Sequence, residues 1–341
     1  MSKQRATIKE IAQAAGVSVA TAGRVIGGYG YVSAEKRAKV DSIAREMSFT
    51  PNALAQGLRA SCTKTIGVVL SDIKNPFFSG VLSRIESAAR SEGYNTIICN
   101  TNEDVATEVE LMKVLYSKRV DGIIISSAYK VNQAIAPEDL PLYNSDTPIV
   151  FIDRAVRNLN SVVVEIDNVK GGYDATQYLL QLGHKHIGIV APPRIVTVEN
   201  RIRGYKKALA EAGVPFEKKN IFRYDTIMPD PHKLIIKWLQ SQPQLSAIFC
   251  LNCDGLMDVI NAIEEQGKAI PQDYSLICWD DCEIARFLKL TIVKQPVEQL
   301  GLVATQHLLA HINKSVAEPG SLQRRTLLSA DLIKRNSVHK K

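Results

Sequence analysis

The sequence predicts an α/β protein headed by a small three-helix domain, and three observations carry that prediction. From Thr65 onward, short apolar runs alternate with amphipathic helical stretches, the pattern of parallel sheets whose strands are buried on both faces. Residues 1–64 show helical spacing instead, and hold ten Lys and Arg against four acids, while the rest of the chain is close to neutral. Finally, 341 residues exceed one compact unit and call for two or three domains.

The first helix opens at Thr7 with Glu10 three residues on, a capping box that satisfies the free amides of a helix start. Ile8, Ile11, Ala12 and Ala15 then give it one apolar face. Gly16 suits the left-handed exit, Val17 turns inward, and Ser18 caps a second helix. Ala22, Val25 and Ile26 form the packing side of that helix, leaving Val19, Ala20 and Arg24 outward. Two short helices joined by a glycine turn, the second exposing an arginine, predict a helix-turn-helix able to enter the major groove. The concentrated positive charge fits phosphate neutralisation. Ser33 is expected to cap a third helix packed through Val40, Ile43, Ala44 and Met47 and ended by Thr50-Pro51. Asn52 begins a short segment, NALAQGLRA, weakened by Gly57 and marginal as a helix alone. The boundaries are thus a helix-turn-helix domain over 1–50, a linker with a short helix over 51–64, and a core over 65–341.

Core strands are expected at Ile66–Leu70, Thr96–Cys99, Gly122–Ser126, Ile149–Ile152, Val162–Ile166, Ile187–Val190, Ala247–Leu251 and Leu276–Trp279. Polar residues stand at their carboxyl ends: Ser71-Asp72, Asn100-Thr101, Asp153-Arg154, Asn252 and Asp280-Asp281. Loops after strands are polar in any protein, but ligands of such sheets also bind at those ends.

The ordered motifs TIKEIAQAAGVSVATAGRV, VSAEKRAKV, TPNALAQGLR, TIGVVLSDIKNPFF, RVDGII, FIDR, LGHKHIGIV, RIRGYKKAL, WDD and QPVEQLG together resemble the LacI/GalR family of bacterial transcription regulators over essentially the whole chain. The resemblance implies a repressor dimer on a near-palindromic operator. It also implies a hinge helix in the minor groove and a two-lobed core like a periplasmic binding protein. Its subdomains would be about 65–161 with 296–322, and 162–295 with 323–341. By position, Val19, Ala20 and Arg24 would read bases and Leu58 would wedge into the central base step, with Thr7, Ser18, Thr21 and Asn52 counted among the DNA contacts. Asp72, Phe77, Phe78, Asp153, Arg201, Asn252 and Asp280 would form the effector site, the aromatics stacking on a ring. Carboxylates accept hydroxyl protons and arginine donates in a planar fork, which fits a sugar or sugar derivative. An Arg201–Asp280 ion pair with a purely structural role is the competing reading. Three departures matter: Ala22-Gly23 stand where the family usually has Val-Ser, Cys253 where an aspartate is common, and Trp279 where Phe or Tyr is usual.

Other function classes find little support. The chain shows no P-loop, no G-x-S-x-G and no dinucleotide glycine fingerprint, so no enzyme and no cofactor are expected. Cys250, Cys253, Cys278 and Cys282 could be read as a metal set, but cysteines in buried strands behave as small apolar residues. His307 and His311 lack the glutamate of a zinc-protease helix. No run approaches a membrane span, and the start MSKQRATIKE lacks the apolar core of a signal peptide. A cytoplasmic protein is therefore expected, and a transport solute-binding protein is disfavoured. A regulator of the same fold answering to a purine or a protein co-regulator is the alternative. One helix-turn-helix reads few base pairs, so two modules about 34–36 Å apart are needed. The four residues after Ser337 hold no heptad segment, so a homodimer is expected.

Overall fold

The computed structural model describes residues 6–49, 62–131, 133–156, 159, 161–192, 195–224, 228–313 and 324–341. The chain divides into two compact units, Met1–Lys64 and Thr65–Lys341.

The first unit is built from α1 (Ile8–Ala15), α2 (Val19–Gly27) and α3 (Ala34–Glu46). The capping box is formed: the Glu10 amide bonds Thr7 Oγ1 while the Thr7 amide donates to the Glu10 carboxylate at 2.7 Å. Gly16 leaves α1 at φ +64°, and the Thr21 amide donates to Ser18 Oγ at 3.1 Å. Ile11, Ala12, Ala15, Ala22, Val25 and Val40 close the core, with Ile43, Ala44 and Phe49 packed on it. Two expectations fail at α3. Ser33 occupies the N-cap position but makes no capping bond. The helix also stops at Glu46, Ser48 turning left-handed at φ +49°, so Met47 is carried out to the surface and Phe49 packs instead.

The second unit contains two six-stranded sheets. The first has the order β11-β5-β4-β3-β1-β2, with β1 (Thr65–Leu70), β2 (Asn95–Asn100), β3 (Gly122–Ile125), β4 (Ile149–Ile152), β5 (Val162–Ile166) and β11 (Arg325–Leu328). The second has the order β12-β10-β9-β8-β6-β7, with β6 (Ile187–Ala191), β7 (Ile221–Arg223), β8 (Ala247–Cys250), β9 (Ser275–Trp279), β10 (Thr291–Lys294) and β12 (Asp331–Ile333). All pairs are parallel except β10 with β12. In each sheet the first strand of the lobe lies between its second and third, so the winding reverses there and leaves a crevice at the carboxyl ends. Parallel strands buried on both faces explain the continuous Val and Ile runs.

The pairing moves the expected subdomain boundaries. Val162–Ile166 pairs with β4 and with Arg325–Leu328, so both segments belong to the first lobe. The chain therefore passes between lobes after Ile166, after Lys294 and after Leu328. Sequence pattern cannot tell which sheet a strand joins when both lobes offer the same parallel edge.

Candidate functional site

In the first unit, α2 presents Val19, Ala20 and Arg24 to solvent, with Val19 52 % exposed. Thr21 is half-buried, its hydroxyl 2.9 Å from Ser18 Oγ. The stem of Arg24 runs beside Gly30, where an added Cβ would stand 3.4 Å from Arg24 Cδ; Gly30 is also left-handed, at φ +69°. The stem of the arginine thus passes close to the loop backbone, and the residue as a whole is exposed. Thr7 spends its hydroxyl on Glu10, at 2.9 Å. Gly23 is buried, so the family position usually held by serine lies on the packed side of α2 here. Asn52 and Leu58 fall outside the described residues. The loop after α2 adds a residue that the sequence reading passed over, Tyr31, which is 91 % exposed.

In the second unit, Asp72, Phe77, Phe78, Asp153, Arg201, Asn252 and Asp280 all line one cavity of about 630 Å³. All but Arg201 are placed by a strand end or a helix start. Asp72 follows β1; Phe77 and Phe78 begin the helix Pro76–Ser91, whose N-cap Asn75 accepts the Phe77 amide at 3.0 Å. Asp153 follows β4 and Asp280 follows β9, the fourth strand of each lobe. Both take positive φ, +57° and +81°, a strained choice for non-glycine residues that concentrates at ligand sites. Their amides are held alike, Asp153 N–H on the Val164 carbonyl and Asp280 N–H on the Val293 carbonyl, each at 3.0 Å.

Arg201 comes from the helix Val196–Glu211, which crosses the helix Asn168–Gln181 at very close range. A Cβ on Gly172 would stand 2.3 Å from the Arg201 carbonyl oxygen, and one on Gly204 would stand 2.1 Å from that of Val169. Only glycine lets these backbones approach so nearly. The buried guanidinium donates to Asn168 Oδ1 at 2.8 Å and to the Leu251 carbonyl, and lies 3.9 Å over the Trp279 ring. Gly171 makes room for that ring, since a Cβ there would meet it at 2.6 Å. Among the described residues Arg201 has no carboxylate within ion-pair distance, so the direct Arg201–Asp280 bridge is not formed. The charges still interact. Burial lowers the Arg201 pKa to about 10, opposed by Asp280 and Asp153. Burial raises Asp280 to about 6, opposed by Arg201 and a hydrogen bond from Gln295 Nε2 and reinforced by Asp153. Asp153 is raised as well, first by burial.

The lining also includes residues that the sequence reading did not assign to the effector site. Arg154 clasps Glu103 with both ends of its fork, at 2.7 and 2.8 Å, and lies 5.6 Å over the Phe78 ring. Glu103 sits at φ +61° in the loop after β2, where no motif marks it. Lys74, Lys130, Tyr224, Asp254 and Gln295 complete much of the wall. Among the described residues, Asp153 Oδ1 and Gln295 Oε1 are buried acceptors without a hydrogen-bond partner. Buried polar atoms are nearly always satisfied, so two open acceptors on a cavity wall are set for donors such as hydroxyl groups.

The comparisons with known proteins follow this division. Residues 7–52 match the model for bacterial regulatory proteins of the lacI family. Residues 63–335 match that for periplasmic binding proteins and the sugar binding domain of the LacI family. This chain belongs to the LacI family. Among its relatives, the ribose operon repressor of Haemophilus influenzae is 34 % identical, over 98 % of this chain and 99 % of that one. The HTH-type transcriptional repressor PurR of Pasteurella multocida is 31 % identical over 98 % of each. A solved LacI family transcriptional regulator from Enterococcus faecium with bound ribose is 29 % identical, covers 81 % of this chain and 99 % of its own, and superposes with a TM-score of 0.67. As a LacI-family member the chain is a DNA-binding transcriptional regulator joined to a ligand-binding core. No helix among its described residues is long and apolar enough to cross a membrane.

Proposed function

We propose that this LacI-family protein is a transcriptional repressor that binds operator DNA as a homodimer through α2. A sugar or sugar derivative held between the core lobes sets its DNA affinity. It acts in the cytoplasm by binding and release alone, without a reaction step. The observation that carries the effector class is the pair of open acceptors, Asp153 Oδ1 and Gln295 Oε1, beside the half-buried Asp280 carboxylate and next to stackable Phe77 and Phe78. Hydroxyl-rich rings supply donors to such acceptors and an apolar face to such aromatics. The ribose named in the structure of the Enterococcus faecium relative makes pentoses the first compounds to try.

A ligand changes DNA affinity only through its different affinity for the two core conformations. The test is a melting-temperature screen of the full chain against neutral pentoses and hexoses, sugar phosphates, sugar acids and purines, since a bound ligand stabilises by mass action. Operator-binding titrations with and without each hit follow. A neutral sugar that raises the melting temperature and shifts operator affinity is expected. A purine hit with every sugar silent would overturn the sugar assignment, and a chain that binds no duplex selectively would overturn the repressor.

A further inference from the structure

A second polar cluster lies away from the cavity, at the amino ends of the second lobe's strands, and it is built around one buried histidine. His184 stands just ahead of β6 and is 0 % exposed, while its chain neighbours Lys185 and His186 are exposed. Its Nδ1 is 2.9 Å from the hydroxyl of Ser246, the residue before β8. Its Nε2 is 2.9 Å from the hydroxyl of Ser275, the first residue of β9, and also 2.9 Å from the His339 carbonyl oxygen. The His339 amide in turn donates to Ser275 Oγ at 3.1 Å, and the Lys341 amide donates to the Leu182 carbonyl at 2.9 Å. Residues Val338–Lys341 thus form a strap laid over the amino ends of β6 and β9. Buried Ser337 anchors it separately: its hydroxyl donates to the Leu276 carbonyl and accepts the Thr291 amide at 2.8 Å.

We propose that His184 is an acid-sensitive latch: its neutral ring holds the strap Val338–Lys341 down, and a second ring proton lets the strap swing free from Ser337. The hydrogen bonds fix the resting tautomer. A carbonyl oxygen can only accept, so Nε2 carries the proton that the His339 carbonyl receives, and bare Nδ1 accepts from the Ser246 hydroxyl. A second proton must go to Nδ1. The Ser246 hydroxyl then has to turn round, and a full positive charge stands where no solvent reaches. Burial opposes that proton most, and the bond to the His339 carbonyl favours it. The other titratable and charged groups acting on the ring come from the strap itself: His339, edge-on with ring centroids 5.6 Å apart, and Lys341, both opposing the charge. The strands β8 and β9 bring hydroxyls, Ser246 and Ser275. Swinging the strap away removes both opposing groups and admits water, so the charged ring and the docked strap compete. The ring therefore binds its proton more weakly under the strap than without it. By linkage, docking weakens as pH falls below the ordinary histidine value of 6.5, by up to about tenfold per pH unit.

The latch does not depend on what the cavity binds. Full-length protein labelled with nitrogen-15 histidine is titrated by NMR, its six histidines assigned by single substitutions. His184 is expected as the Nε2–H form in mild base, gaining its second proton only below pH 6.5. Hydrogen exchange, corrected for its intrinsic pH dependence, reads the strap. The His339 and Lys341 amides should speed up about tenfold or more between about pH 7 and 5. The Asn336 amide, held by the Lys289 carbonyl ahead of the anchor, should stay slow. His184→Gln keeps an amide donor for the His339 carbonyl but cannot titrate, so its strap should stay slow throughout, with folding checked by melting. His339→Ala keeps the carbonyl and should keep the acid response, which places the sensor at His184. Should His184→Gln not fold, the wild-type tautomer and the His339→Ala response still decide. An Nδ1–H ring in mild base, a strap whose exchange ignores pH, or an equal response in His184→Gln would overturn the latch. So would loss of the response in His339→Ala, or an acceleration shared by the amides of β6, β8 and β9, which would mean that acid opens the whole lobe.

Discussion

Replacing Asp280 with asparagine should stabilise the protein at neutral pH, and by an amount that shrinks in acid. Burial raises this carboxyl from an ordinary 3.8 to about 6, even with Arg201 and Gln295 working the other way. A folded-state pKa above the unfolded one means that the folded chain holds the proton more tightly. Stability is then lost as pH rises from about 3.8 towards 6 and stays lost above it. Two pKa units correspond to about 3 kcal/mol. Asparagine keeps the shape and can still accept the Gln295 amide, but it carries no charge to bury. The variant should therefore exceed the wild type by up to about 3 kcal/mol at pH 7.5, falling to about 1 kcal/mol at pH 4.5. Urea unfolding of the core at both pH values, followed by tryptophan fluorescence because Trp279 is the neighbouring residue, reads the difference. A pH-independent gap, or a variant less stable than wild type at pH 7.5, would show that Asp280 is not a desolvated carboxylate. The same variant should bind its sugar about tenfold more weakly, since a charged acceptor makes the stronger hydrogen bond. Stability and function would then move in opposite directions, as at other sites built for ligands.

Three more substitutions test other parts of the molecule. Arg24→Ala should cost about 1–3 kcal/mol on a specific operator, the worth of a bidentate arginine–guanine contact, and far less on non-specific duplex; equal losses on both in binding titrations would reduce Arg24 to a phosphate contact. Gly172→Ala should lower core stability by about 1–3 kcal/mol, because its methyl would sit on the Arg201 carbonyl; an unchanged melting temperature would mean that the two helices separate freely. Arg201→Ala leaves Asn168 Oδ1 and the Leu251 carbonyl without their donor, about 1–3 kcal/mol for each unsatisfied group. Its melting temperature should fall along with the sugar response, and a full response in a well-folded variant would remove Arg201 from the site.

Much of this architecture is legible in the chain because buried parallel strands announce themselves. Ile123–Ile125 and Ala247–Cys250 are apolar throughout and buried at every position. The strands missed, Ile221–Arg223, Thr291–Lys294, Arg325–Leu328 and Asp331–Ile333, are three or four residues long and mix charge with apolar side chains. Their strand character comes from the neighbour they pair with. Strand ends drew attention to Asp153, Asn252 and Asp280, which line one cavity, since the polar residues at a carboxyl end are local in sequence. Glu103 and Gln295 were not visible, because only folding brings the first to Arg154 and the second to Asp280. The cysteines show both sides: burial of Cys250 and Cys278 follows from their strands, whereas the approach of Cys253 to Cys278 depends on which strands are neighbours.

Gln295 occupies one of the three places where the chain changes lobe, and its side chain faces the cavity while bonding Asp280. On the effector reading proposed above, a ligand that satisfied its open carbonyl would bear on a crossover between the lobes and not on a remote loop. Sensor and crossover would then be one residue, with no relay of side chains needed between them. Tuning such a joint is economical in evolutionary terms: changes on the facing loops can alter which guest is accepted while the mechanical response, set by the crossover, is inherited intact.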